Sequence, residues 1–267
     1  MIQNFFRSSC KYLLLTLFCS CAISLFVLAA DSQKDFYQIK IYRLKNNEQV
    51  KQTDDFLQNA YLPALHKAGI TKVGVFKPVA NDTAAVKTIY VFIPFKSADE
   101  WMKLSEVLEK DASYKKAAKN FFEAAYDSPP YERIESIMLD ALSVQPHFNL
   151  PSPKSTKRVY ELRSYESPTE SLFVKKLKMF NEAGEVDIFK RLGFNALFYA
   201  KVLSGCHTPN LMYMTWFDSI ESRDAHWKSF SEDPGWKELS GRPEFENKVS
   251  VSHIDSILMR STDYSDI

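Results

Sequence analysis

The chain has 267 residues, of which 45% are apolar and 25% charged, the composition of a globular protein with one large or two small domains. Its formal net charge is +1; without residues 1–29, 32 Lys and Arg face 33 Asp and Glu, a balance of −1. A near-neutral chain lacks the basic surface that a nucleic-acid partner requires.

The chain opens as an export signal. Arg7 and Lys11 precede an uncharged apolar run from Tyr12 to Ala30, which Asp31-Ser32-Gln33-Lys34 ends at once. Val27-Leu28-Ala29 suits cleavage near Ala29 or Ala30, so residues 1–30 are expected to be removed and the protein to be periplasmic or secreted, with no stable membrane span. The alternative is an uncleaved anchor, since the run approaches the length that spans a bilayer. Neither Cys19 nor Cys21 makes a convincing lipidation box. Only Cys206 remains in the mature chain, which excludes an intramolecular disulfide and leaves core burial to supply stability.

Phe36–Leu44 alternates as a strand, with Tyr37, Ile39 and Ile41 on one face and Phe36, Gln38, Lys40 and Tyr42 on the other. Asn46–Ala68 follows as a helix closed by Gly69; Pro63 cannot donate to the preceding turn and forces a kink or restart near Leu62. Thr71–Pro78 and Lys87–Phe95 form two strands about a polar turn. Ser97 then opens a helix over Ala98–Lys110, a short helical piece follows near Tyr114–Ala125, and Tyr131–Asp140 is the last strand of the series.

The same series then repeats. Arg158–Tyr165 (RVYELRSY) matches Asp35–Tyr42 (DFYQIKIY) at an offset of 123, Gly193 matches Gly69 at 124, and Tyr213 matches Tyr90 at 123. DPGWK at Asp233–Lys237 matches DASYK at Asp111–Lys115 at 122, and the Ile254–Ile257 tetrad matches Ile134–Ile137 at 120. The second copy predicts a helix over Thr169–Leu192, strands over Phe194–Leu203 and Asn210–Phe217, helices over Ile220–Phe230 and Gly235–Leu239, and a strand over Val249–Arg260. Ala141–Lys157, with Pro146, Pro151 and Pro153 and no periodicity, joins the copies.

Strand, helix, strand, strand, helix, strand is the ferredoxin-like order. The fold is therefore expected to be α+β: two tandem ferredoxin-like (βαββαβ) domains at 31–141 and 158–260, with a linker at 142–157 and a tail at 261–267. Thr88–Phe95 and Leu211–Phe217 are apolar on both faces. Helices cover only one face of each sheet, so the domains are expected to pack sheet to sheet as a pseudo-dimer within one chain. Further homo-oligomerisation stays open.

FYQIKIYRL (Phe36–Leu44), AYLPALHKAGITKVGVFKP (Ala60–Pro78), VYELRSY (Val159–Tyr165), DPGWKEL (Asp233–Leu239) and the tail ILMRSTDYSDI (Ile257–Ile267) resemble the NIPSNAP family, in particular its exported bacterial members with two domains. The resemblance covers nearly the whole mature chain. It implies a dimeric α/β-barrel closed within one chain and no particular reaction. Relatives often carry a histidine in the first helix of the second domain, where this chain reads NEAGEVDIFKRLGF.

The polar face of the two opening strands supplies the candidate binding residues. Gln38, Lys40 and Tyr42, with Glu161, Arg163 and Tyr165, are expected to face the barrel, joined by Tyr90 and Tyr213 on the third strands. Buried long charges must pair or face water, so ion pairs across the barrel compete with ligand binding as the reading of these positions. His66, Trp216 and His226 are secondary candidates; His66 at a helix end also suits a capping role. No two histidines stand at metal-binding helix spacing, and HExxH, CxxC, P-loop and dinucleotide motifs are missing, so no metal and no cofactor are expected. Cys206 beside His207 lacks the third orienting group of a nucleophilic site. These features lean away from an enzyme and toward an exported protein that binds a small apolar ligand or a protein partner. A cofactor-independent or haem-linked oxygenase is the alternative, on fold analogy alone, and an assembly role is a third.

Overall fold

The computed structural model describes residues 34–205 and 207–267. The expected export signal at 1–30 and Cys206 lie outside the described residues. In the first half, β1 (Phe36–Leu44) leads through α1 (Asn47–Phe56), a π-helical turn (Leu57–Tyr61) and α2 (Leu62–Lys67) to β2 (Gly74–Pro78) and β3 (Lys87–Phe95). There follow α3 (Ala98–Lys110), α4 (Ala112–Phe122) and β4 (Arg133–Ala141). The second half runs β5 (Val159–Glu166), α5 (Glu170–Asn181), α6 (Glu185–Arg191), β6 (Asn195–Ser204), β7 (Asn210–Phe217), α7 (Ile220–Glu232) and α8 (Pro234–Ser240). A 3-10 turn (Pro243–Phe245), α9 (Asn247–Ser250) and β8 (His253–Ser261) complete it.

Side-chain caps start the helices at matching places in the two halves. Ser97 and Ser219 accept from the backbone N–H three residues on, and Asp111 and Asp233 do the same for α4 and α8. Asp111 also meets Lys67 (2.9 Å), as Asp233 holds Arg191 through two hydrogen bonds of 2.9 Å, so each half ties its first helical segment to its second in the same way. The kink or restart expected near Leu62 takes the form of a π-helical turn (Leu57–Tyr61) just ahead of Pro63, with backbone that stays helical through Tyr61 and Leu62 into α2. The second copy departs from the single helix expected there. Gly184 takes a positive φ (99°) and separates α5 from α6. The last strand also begins later than expected, at His253, because residues 243–250 form helical turns instead.

The eight strands close into one antiparallel barrel in the order β1-β3-β2-β8-β5-β7-β6-β4. Each half supplies four adjacent strands, and the halves are hydrogen-bonded to each other along both edges. Phe76, Lys77 and Pro78 pair with Ser261, Arg260 and Met259, while Leu139 to Ala141 pair with Val202 to Ala200. Closure leaves neither half an exposed sheet edge, the usual route to aggregation.

The barrel interior is a packed core. Phe92 and Phe198, one from each half, stack at 5.1 Å with planes 9° apart, and Tyr37 leans on both. Phe148, from the proline-rich connection, meets Tyr37 edge-on (6.3 Å, 88°) and covers this cluster. Separate apolar cores lie between the sheet and the helices of each half. The C-terminal residues run beside β2: Thr262 and Asp266 donate backbone N–H to Val75 and Val73, Tyr264 donates to Asp54 Oδ1 (2.6 Å), and Ile267 is buried in the barrel core. Among the described residues no helix is long and apolar enough to cross a membrane.

Candidate functional site

The two faces of the opening strands are exchanged relative to expectation. Tyr37, Ile39, Ile41, Tyr160 and Leu162 fill the barrel, whereas Tyr42 and Tyr165 belong to the helix-side cores, and Gln38, Lys40, Glu161 and Arg163 share their face of the strand. The reason is solvation. The middle of the lumen is lined mainly by apolar side chains and aromatic rings, while the sheet-to-helix layer presents side chains that pair with charge. Tyr90 is the candidate that does face the lumen, at a mouth of the barrel beside Ile41 and Glu135. Tyr213 lies on the helix side. Ladder partners explain the difference: Lys40 pairs with Val91 and Arg163 with Tyr213, so Tyr213 answers Val91 at an offset of 122 rather than Tyr90 at 123.

In the second half this layer is filled. Glu161, fully buried, accepts through Oε1 from Arg163 Nη1 (2.7 Å), Arg223 Nη2 (2.7 Å) and Ser256 Oγ (2.6 Å), and through Oε2 from Arg223 Nε (2.9 Å) and Trp227 Nε1 (2.7 Å). Burial pushes the carboxyl up, but hydrogen bonds from Arg223, Ser256 and Trp227 and the charge of Arg163 outweigh it and hold it at about 2. Arg163 lies 4.4 Å over the Trp227 ring and donates to Tyr165 Oη (3.1 Å), which in turn meets Tyr213 Oη (3.1 Å). Five hydrogen bonds on one carboxylate leave it no capacity for a substrate.

In the first half the matching positions form an open pocket. Gln38 replaces Glu161 and donates to Ser136 (2.7 Å), the counterpart of Ser256. Lys40 replaces Arg163, Trp101 stands where Arg223 would be, and Ser105 takes the place of Trp227. The space the indole fills in one half becomes a cavity of about 380 Å³ in the other, lined by Gln38, Lys40, Tyr61, Trp101, Ser105 and Tyr114 among others. Among the described residues no ion-pair partner meets the Lys40 ammonium. It lies 4.8 Å over the Tyr61 ring and 5.9 Å from that of Tyr42, and burial pushes it down to about 8. Burial likewise raises the hydroxyls of Tyr61 and Tyr114 and keeps them protonated as donors. A pocket of mixed polar and apolar lining, with one uncompensated cation and a few hydroxyls, suits a small molecule that carries an anionic or strongly accepting group.

The secondary candidates lie apart from this pocket. His66 meets Asp266 (2.8 Å), which also accepts from Val73 N–H, so it clasps the C-terminal tail. His226 meets the Ser222 carbonyl (2.6 Å) and packs against Phe194 and Phe217. Trp216 lies under the Arg158 guanidinium (4.4 Å) beside the barrel core. Trp101, Ser105 and Tyr114 are not singled out by motif reasoning. The signal for them is the internal repeat: aligning the two serine caps sets Ser105 opposite Trp227 and Trp101 opposite Arg223.

Residues 160–266 match the family model NIPSNAP. No curated protein matches the chain. Among solved structures it is similar to a candidate monooxygenase from Lactobacillus acidophilus NCFM, with 10% identity, 85% of this chain and 94% of that one covered, and a TM-score of 0.55. A candidate monooxygenase from Fusobacterium nucleatum subsp. nucleatum ATCC 25586 gives 7%, 85%, 92% and 0.55, and an anthrone oxidase-like protein 12%, 86%, 92% and 0.53. At these identities the likeness is one of fold, a mixed α/β barrel, and it extends over nearly all of each partner.

Proposed function

We propose that this member of the NIPSNAP family, a membership carried by residues 160–266, binds a small amphipathic molecule with one anionic group in the pocket of its first half. The observation that carries this reading is the unpaired ammonium of Lys40 facing a cavity whose counterpart in the second half is filled by Trp227 and Arg223. We read the two halves as tandem ferredoxin-like units that together make one barrel, the strand order β4-β1-β3-β2 in the first recurring as β8-β5-β7-β6 in the second. On this reading the second unit is a structural support and the first is the binding unit. The export signal expected at residues 1–30 supports a ligand met outside the cytoplasm.

Calorimetric titration with paired aromatic and acyl carboxylates and their neutral amides tests the proposal. Carboxylates should bind roughly tenfold or more tightly than the matching amides, the effect of one ion pair in a partly dry pocket, and Lys40→Met should remove the difference. Equal affinities for both classes, or a Lys40→Met variant unchanged toward carboxylates, would reject it.

A second reading, a cofactor-independent oxygenase, draws on the structural likeness to candidate monooxygenases and on one feature of this chain. A lysine lowered to about 8 beside Trp101 and Tyr114 is in the range of a general base for an acidic aromatic substrate. Oxygen uptake on quinol-type substrates, absent in Lys40→Met, would favour it over binding alone.

A further inference from the structure

The strands that meet at a mouth of the barrel bring together four side chains from three separate segments of the sequence. Glu166 ends β5 and is the ladder partner of His253, which opens β8; Asp255, two residues further along β8, points to the same side. One ligand atom from each of these three lies within 4.8 Å of the others. His253 Nε2 and Asp255 Oδ1 are 3.0 Å apart. His207 approaches from the connection between β6 and β7, its backbone in the left-handed region (φ 64°), and sets Nδ1 2.7 Å from Glu166 Oε1. The two form an ion pair when the imidazole is protonated, and Glu166 Oε1 is shielded from solvent without a hydrogen-bond partner.

We infer that Glu166, His253 and Asp255, with His207 as a fourth donor, form a binding site for a divalent first-row transition ion of the zinc type. The donor set decides the class. Two imidazoles and two carboxylates favour zinc and its neighbours, whereas magnesium and calcium take oxygen alone. The spacing agrees: bonds of about 2.1 Å at tetrahedral or octahedral angles set neighbouring donors roughly 3 Å apart, as His253 and Asp255 already are. His253 and Asp255, both more than half exposed, are free to rotate toward Glu166. Charge agrees as well. Asp255, Glu166 and Glu135 line this mouth, where Arg43 pairs with Glu135. The ion would tie β5 to β8 and draw in the connection that bears His207. The search for histidine pairs at helix spacing does not reveal such a site, because its donors converge across strands.

The test uses the full chain, freed of any affinity tag and treated with chelator, titrated with Zn²⁺ alone by calorimetry and by competition with a chromogenic chelator. One ion per chain should bind, with a dissociation constant of about 10 μM or tighter, and a large excess of Mg²⁺ should not compete. His253→Ala and Asp255→Asn, both at exposed positions, should each weaken binding by roughly tenfold or more with melting of the metal-free chain unchanged. His147→Ala, which alters an exposed histidine–aspartate pair elsewhere (Asp35, 3.0 Å), should bind as wild type. No saturable binding at about 100 μM Zn²⁺, or wild-type affinity in both His253→Ala and Asp255→Asn, overturns the assignment.

Discussion

Ser105 holds in the first half the position that Trp227 holds in the second, and this one difference in size leaves a pocket over Lys40 where the second half has an indole bonded to Glu161. The cavity is thus a place where one copy of a repeated layer was left unfilled. Substituting Ser105→Trp should refill it. The variant should fold and lose the carboxylate affinity of the wild-type pocket by more than roughly tenfold, because the indole displaces the ligand and supplies no new anion partner. Parallel titrations of both proteins with one aromatic carboxylate check this, with thermal melting as the control for folding.

Lys40 makes both stability and binding depend on pH. Its ammonium titrates at about 8 in the folded chain against an ordinary 10.5, so between these values the unfolded chain binds more protons and stability rises with pH. Below pH 8 the penalty is fully present. Lys40→Met should therefore stabilise the protein at pH 7 by about 1–3 kcal/mol, with allowance for partial exposure, and the gain should shrink by about pH 9.5. An anionic ligand needs the charged form, so its affinity for wild type should fall about tenfold for each unit above pH 8. Urea midpoints and ligand titrations at three pH values measure both.

The architecture was legible because its signals are local and repeated. Alternation marked β1 and β5, Gly69 and Gly193 closed their helices at matching positions, and Ser97 and Ser219 capped where expected. Alternation says that Lys40 and Ile39 point opposite ways but not which way is inward. That depends on whether helices or a second sheet carry the charge partners, and Arg223 and Trp227 are more than sixty residues from Glu161. The break at Gly184 was hidden for a related reason: the sequence around it keeps a helical pattern, and one positive φ separates α5 from α6. The pocket was hidden as well, since it exists through the small size of Ser105 and no motif marks it.

Glu161 should be the most sensitive polar position. Its carboxyl is held at about 2 against an ordinary 4.5, a depressed carboxylate, so its contribution to stability is complete above pH 4.5 and is lost as pH falls toward 2. Glu161→Gln leaves Arg163 without its counter-charge and Arg223 with Asp224 alone. It should cost about 2–4 kcal/mol at neutral pH and flatten the acid limb of the stability profile. Urea unfolding at pH 7 and pH 3 measures both effects; equal losses at the two pH values would mean that packing, not charge, sets the cost.

Separating the halves should convert the barrel into a two-chain object. A fragment of residues 34–142 would expose Tyr37, Ile39, Ile41, Phe76, Phe92, Ile137 and Leu139, which the second half now covers. At about 1.5–3 kcal/mol for each large apolar side chain returned to water, the loss is roughly 10–20 kcal/mol, as large as the whole stability of an ordinary domain. The fragment nevertheless carries a remedy. In the intact chain β2 pairs with β8, the counterpart of β4, and β4 pairs with β6, the counterpart of β2. Two copies of the fragment could therefore make both edge contacts with each other, β2 of one to β4 of its partner, around a twofold axis. Light scattering after gel filtration should find a dimer, with aggregation and dye binding wherever dimerisation fails. A stable monomer without exposed apolar surface would mean that the first half covers its own inner face, and that the barrel is not what holds this chain together.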